Sequence, residues 1–394
     1  MANNTQMDEV RKLQWTLYLA AKENPRRRFH ALYDKVYRRD VLERAWKAVR
    51  ANRGASGIDR VTIEEVEVRG ADEFLDQLSE DLRRGTYRPQ PGKRVWIPKP
   101  GRAEKRPLSI PAVRDRVVQA ALKIVIEPVF ESDFLPCSFG FRPKRSTHDA
   151  LQVLIDEAFN GRRWVVETDI ASCFDMIPHD GLLAAVSERI CDRGILKLVR
   201  ALLRCGVMEK GMRRNRSTGT PQGGVVSPLL ANIYLHKLDS WWSEHGKGKL
   251  CRYADDLVVM CRSQGEALQA LDEIRSVLGA LGLELKESKT RIVHLREGGS
   301  GFDFLGFHHR WVRAGTARNV TFLARWPSSR AMQVARDRIR DLTSRSSLLF
   351  SDDEVVRVRI LTDSTIKSNL IRPASLKSSD HRVMPSCVAV RVSQ

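Results

Sequence analysis

The hydrophobic rhythm of the chain changes several times, and each change marks an element. Residues 8 to 50 carry apolar positions at helical spacing, with Val41, Leu42, Ala45, Trp46 and Val49 the clearest set. Residues 83 to 112 are rich in Pro and Arg and are predicted extended, with Trp96 and Ile97 packing inward. Helical spacing returns over 114 to 127, where Val117, Val118, Ala121, Leu122 and Val125 share one face. Ala150 to Phe159 reads as a helix and residues 164 to 169 as a strand ending in an acid. Gly181 to Ile190, Gly194 to Leu203 and Pro228 to Trp242 read as helices. Two short apolar runs then flank a tight turn, Lys249 to Tyr253 before it and Leu257 to Met260 after it. A long amphipathic helix follows, carrying Leu268, Leu271, Ile274, Val277, Leu278 and Leu281. Pro327 to Asp341 reads as a basic helix. This order predicts an α+β fold, an antiparallel sheet backed by helices.

The tight turn carries the first candidate chemistry. Arg252-Tyr253-Ala254-Asp255-Asp256 places two adjacent carboxylates at the tip of the predicted hairpin. Like charges side by side repel, so a fold that holds them calls for a cation, and hard oxygen ligands suit Mg²⁺. An Asp-Asp pair alone also fits a solvated surface. A second acid, Asp169, ends the strand Arg163 to Ile170. If the two strands lie side by side, Asp169 meets Asp255 as in a two-metal site; alternatively, Asp169 caps the turn that follows. Between these acids lies a turn dense in Gly and Pro, Ser217 to Leu230, in which Gln222 offers both a donor and an acceptor.

Taken together and in order, these blocks resemble a reverse transcriptase of the bacterial group II intron type. The resemblance covers roughly residues 45 to 325. It begins with Arg53-Gly54-Ala55-Ser56-Gly57-Ile58-Asp59 and continues through Lys105 to Pro111, Arg114 to Gln119, Ser138 to Pro143 and Ser146 to Ala150. The Asp169 block, Pro221-Gln222-Gly223, Tyr253-Ala254-Asp255-Asp256, Leu283 to Thr290 and Phe304-Leu305-Gly306-Phe307 complete it.

The resemblance implies a right-hand polymerase with fingers, palm and an incomplete thumb. It implies an N-terminal helical extension over 1–60, fingers over 61–149 and a palm over 150–325, with the reverse transcriptase domain at roughly 80–310. A partial thumb helix over 326–345 and a divergent, disordered tail over 346–394 complete the expected organisation. The implied activity is RNA-directed DNA synthesis with two Mg²⁺ ions, or Mn²⁺ in their place, on an RNA template (intron RNA), a DNA primer and dNTPs. Asp169, Asp255 and Asp256 are the implied metal ligands, and Lys289 the implied proton donor to pyrophosphate. Phe174 matches the aromatic under the incoming sugar, and Gln222 the residue over the nucleotide. Lys105 and Arg106 fall in the block that holds triphosphate, and Arg114 and Arg142 are further expected substrate contacts. Blander roles stand beside these: core packing for Phe174, and solvated surface charge for Lys289, Lys105 and Arg106. An RNA-binding maturase and an inactive truncated intron protein are the alternative functions.

Composition narrows the partners. The chain of 394 residues has a formal net charge of +19, a field that attracts polyanions. Clusters such as Arg26-Arg27-Arg28 and Arg213-Arg214-Asn215-Arg216 suit phosphate contacts. Seven cysteines without a Cys-x-x-Cys pair exclude a zinc ribbon and a secreted disulfide framework. His308-His309 is expected as a surface pair at a strand end. No run of about 18 apolar residues occurs, so a soluble, cytoplasmic protein without a membrane partner is expected. Residues 342 to 394 hold a single aromatic, Phe350, where the family continues through a thumb and a domain rich in Trp and Tyr. Such a segment buries too little apolar surface to offset its ordering entropy.

Overall fold

Adjacent valines explain the centre of the fold. Val165 and Val166 are both fully buried, yet they belong to different hydrophobic clusters. Successive side chains of a strand point to opposite faces, so this strand has a core on each side. The computed structural model describes residues 8–98, 105–214, 217–314 and 320–343. The expected tail over 346–394 lies outside the described residues, as do Asn215 and Arg216 of the second basic cluster.

Three helices open the described chain, α1 (Glu9–Glu23), α2 (Tyr33–Val36) and α3 (Arg39–Ala51), where one helical stretch is predicted. Asp8 caps α1 by accepting from the Arg11 amide, and Asn24 and Pro25 follow its end. After α4 (Ile63–Arg69) and α5 (Ala71–Arg83) come strands β1 (Gly92–Pro98) and β2 (Lys105–Ile110). The long α6 (Val113–Glu131) is buried almost all round and packs against α1, α2 and α3. A reciprocal Ser146–Asp149 capping box starts α7 (Thr147–Phe159).

Strand β3 (Trp164–Asp169) has the predicted bounds and leads into α8 (Cys173–Met176), α9 (His179–Ser187) and α10 (Arg193–Arg204). A hairpin of β4 (Val207–Glu209) and β5 (Met212–Arg214) precedes the Gln222 turn and α11 (Ser227–His245). Next come β6 (Lys249–Tyr253), β7 (Asp256–Cys261), α12 (Gln264–Ala280) and β8 (Arg291–His294). Strands β9 (Phe302–Phe304), β10 (Phe307–Arg313) and β11 (Thr321–Pro327) and helix α13 (Ser329–Leu342) complete the described fold.

The central sheet has strand order β6-β7-β3-β8, antiparallel throughout, as the sequence predicts. One face buries Val166, Leu250, Leu257, Val259 and Cys261 in the larger core with α12 and α6. The other buries Val165, Cys251, Val258, Met260 and Val293 with α7 and the β9–β11 sheet. Burial on both faces is why β7 reads as an unbroken apolar run. Each such Val or Leu is worth about 1.5–3 kcal/mol. A second sheet of order β2-β1-β4-β5 includes the parallel pair β1–β4. The α+β class is therefore observed.

Three expectations are corrected. Trp96 is 51% exposed rather than inward, with its indole N–H donated to Glu209 Oε1 at 3.2 Å. In α12 the fully buried face is Ala267, Ala270, Ile274 and Leu278, while Leu268 faces out. Small alanines let that helix approach β3 and β7 closely. His309 is fully buried with its ring stacked on Phe302 at 4.9 Å, so the His308-His309 pair is not a surface pair. Among the described residues no helix is long and apolar enough to cross a membrane.

Candidate active site

The carboxylates converge because of strand register. Antiparallel pairing of β3 with β7 sets Asp169 opposite Asp256, and Tyr253 pairs with Asp256 across the β6–β7 hairpin. Ala254 and Asp255 alone form the turn, with Ala254 in the left-handed region at φ 57°. The Ile170 amide donates to the Asp255 carbonyl at 3.1 Å, which ties the turn to the end of β3. Lys286 N–H donates to the Asp169 carbonyl at 2.7 Å and brings the segment before β8 alongside. That segment ends in a short 3₁₀ turn, Glu287–Lys289, from which the Lys289 ammonium contacts Asp169 Oδ2 and lies 3.7 Å from Asp256 Oδ1.

Crowding of like charge shapes the electrostatics. Burial, then the charges of Asp256 and Asp169, push Asp255 up to about 7. Asp256 is raised by burial and by Asp169, with Lys289 opposing. Burial would lower Lys289, but its hydrogen bond to Asp169 and the three carboxylate charges hold it above the usual lysine range. Asp169 Oδ1 is buried and has no hydrogen-bond partner. Among the described residues no three metal-ligating side chains already close around a point, and Lys289 supplies the positive charge at Asp169. An orphaned carboxylate oxygen beside two raised carboxylic acids is nevertheless the donor set a hard divalent cation takes.

A second cluster lies beside the acids in sequence and is tied together through backbone. Phe174, half-buried in α8, accepts at its carbonyl from Thr220 N–H at 2.6 Å. Gln222 Nε2 donates to Asp175 Oδ2 at 2.8 Å. The same loop docks on β2: Ser109 N–H donates to the Gln222 carbonyl at 2.6 Å. Gly223 has φ 107°, and a Cβ there would stand 2.5 Å from the Ser109 carbonyl, so the approach needs glycine. Lys105 and Arg106 are exposed on β2, paired with Pro98 and Ile97.

The other two predicted substrate contacts are engaged elsewhere. Arg142 is buried and gives its donors to Glu131 and to the carbonyls of Phe134, Leu135 and Ser138, an arrangement that anchors the chain after α6. Arg114 lies over the Tyr87 ring at 5.4 Å and donates to Asp81 Oδ2 at 3.1 Å.

Sequence reasoning assigned no role to Arg252, Asp239 and Asn232, which form a buried network behind the Asp255 turn. A signal existed: Asn232 and Asp239 stand seven apart in a helical run, which sets both on one face together with the apolar Leu235.

Comparison with known proteins agrees with the geometry. The reverse transcriptase (RNA-dependent DNA polymerase) family matches residues 97–309. Protein YkfC of Escherichia coli (strain K12) is 36% identical over 344 residues, covering 77% of this chain and 88% of YkfC. The group II intron-encoded protein LtrA of Lactococcus lactis subsp. cremoris is 30% identical over 362 residues, covering 76% of this chain. This chain spans 59% of the length of LtrA. Nuclear intron maturase 2 of Arabidopsis thaliana is 26% identical over 196 residues, 40% of this chain and 26% of that protein. With three acids gathered at one end of the central sheet and a family match across more than half its length, the chain belongs to the reverse transcriptases, and a group II intron-encoded protein is among its relatives.

Proposed function

We propose that this chain copies RNA into DNA at the Asp169–Asp255–Asp256 cluster, with two Mg²⁺ ions as the resident metals. The central sheet is then the palm, the β1–β2 region belongs to the fingers, and α13 begins a thumb. The observation that carries this is the pairing of Asp169 with Asp256 next to the Asp255 turn, with Asp169 Oδ1 left without a partner.

Asp169 and Asp255 would be the main ligands and Asp256 the third acid. When bound, the cations supply charge neutralisation at the attacking and leaving oxygens. The chain's own residues do the rest by positioning. Phe174 stands where it excludes a ribose 2′-hydroxyl, and Gln222, fixed by Asp175, lies over the nucleotide. Lys105 and Arg106 face the triphosphate as exposed cations on β2. Lys289, kept protonated by three carboxylates, is poised to give a proton to departing pyrophosphate.

The template is RNA, with intron RNA as its origin, and the primer is DNA; the setting is the cytoplasm. The net charge of +19 supports a polyanionic partner. Similarity to a protein named as an intron maturase supports a second reading, assistance to intron folding, which splicing of a cognate intron RNA by purified protein would test. The polymerase reading is tested by Asp255→Asn. Primer extension on an RNA template is expected to vanish while RNA affinity stays near that of the parent. Extension at the parent rate would overturn the assignment.

A further inference from the structure

Arg252 leads into the Tyr253-Ala254-Asp255-Asp256 turn, yet the polymerase reading gives it no task. Its side chain is fully buried. A guanidinium has five N–H donors in a rigid fork, and burial makes each unmet one costly. Here Nε and Nη2 grip Asp239 Oδ1 and Oδ2 at 2.8 and 2.5 Å. Nη2 also donates to Ser138 Oγ at 2.8 Å, and Nη1 to Asn232 Oδ1 at 2.9 Å. The remaining contact runs from Nη1 to the carbonyl oxygen of Ala254 at 3.1 Å.

That last contact reaches the peptide unit joining Ala254 to Asp255. Ala254 holds a left-handed φ of 57°, a conformation that costs a residue with a Cβ about 1 kcal/mol or more. Asn232 Nδ2 donates to the Gly140 carbonyl at 2.7 Å. Gly140 in turn abuts the turn so closely that a Cβ would stand 2.4 Å from Ala254 N. Phe139 N–H donates to the Arg252 carbonyl at 2.9 Å, and Arg252 N–H to the Cys137 carbonyl at 2.8 Å. The turn is thus clamped from behind by α11 and the 137–140 segment, while Ile170 N–H holds the Asp255 carbonyl from β3.

We propose that Arg252 is a positioning residue: backed by Asp239 and Asn232, it fixes the Ala254–Asp255 peptide so that the Asp255 carboxylate faces Asp169 and Asp256. This rests on the reading of those acids as the metal site. A buried ion pair is weak evidence for stability, since well-packed apolar substitutes are often neutral or stabilising. Positioning of the turn is a different property, and the two separate in experiment.

The test is the double variant Arg252→Met/Asp239→Leu in the full chain. Circular dichroism and thermal melting should show a folded protein melting near the parent. Single-nucleotide kcat should fall about 10- to 100-fold, the range seen when groups orienting metal ligands are removed. KM for primer–template should hold. Mn²⁺ affinity without nucleic acid, read from the free-ion electron paramagnetic resonance signal, should weaken by a similar factor. Parent-like kcat and Mn²⁺ affinity in the folded double variant would overturn the inference. Should that variant not fold, Asn232→Leu, which keeps the ion pair, carries the same test with the same two outcomes. Asp255→Asn run alongside separates the two claims. Full extension by Asp255→Asn defeats the metal reading, whereas an inert Asp255→Asn beside a parent-like double variant defeats only the role of Arg252.

Discussion

The Lys289 ammonium sits between Asp169 and Asp256, touching Asp169 Oδ2 and standing 3.7 Å from Asp256 Oδ1. One cation thus offsets part of the repulsion among three carboxylates, and its own proton is held by them.

Replacing it should therefore separate chemistry from binding. Lys289→Met is expected to lower kcat for single-nucleotide addition by about 10²-fold or more, the range of a lost general acid. The dNTP KM should change far less. A variant with parent kcat in rapid-quench measurements would remove Lys289 from the reaction.

Phe174 should select the sugar. It lies in the short helix after Asp169, with its backbone fixed by Thr220. Phe174→Ala is expected to raise rNTP incorporation relative to dNTP by about tenfold or more, the scale of a steric pocket change. Competition assays with both nucleotides check this, and an unchanged ratio in an active variant would count against it.

His309 should make the protein acid-sensitive. Burial, then the charges of Arg325 and His308, push its ring down to about 4, and neither ring nitrogen has a partner. An unfolded His titrates near 6.5, so between these values the unfolded chain binds more protons. This contribution to stability is intact above about pH 6.5 and is lost as pH falls toward about 4. From pH 7 to pH 5 the loss is about 2 kcal/mol. Urea unfolding at both values should show a smaller loss in His309→Leu than in the parent; equal losses would refute the assignment.

Much of this was legible in the sequence because periodicity reports burial. Strand β3 was readable to its bounds, since its β-branched residues Val165, Val166 and Thr168 are followed by the buried Asp169. Trp96 misled because size suggests burial, whereas the alternation of β1 gives the half-buried positions on either side of it to Val95 and Ile97. Leu268 misled for the converse reason: the inward face of α12 is set by small alanines, which carry little hydrophobic signal. The three acids and Lys289 were found as residues, but the Lys289 contact and the unpartnered Asp169 oxygen depend on tertiary placement. The role of Arg252 is not legible in the sequence because an arginine reads as surface until its partners, from sequence positions 138, 232 and 239, are seen around it. Arg142 shows the reverse: a motif position suggested a ligand, and a ring of local carbonyls with Glu131 takes its donors.

The docking of Gln222 on Ser109 has a mechanical consequence. Strand β2 carries Lys105 and Arg106, and the Ser109 amide is bonded to the Gln222 carbonyl with Gly223 pressed against the same strand. No slack separates them. A displacement of β2 would pull the Gln222 loop with it, and through Asp175 and Thr220 the backbone of Phe174. With the roles proposed for Lys105, Arg106 and Phe174, the grip on the phosphates and the fit around the sugar would then tighten as one stroke.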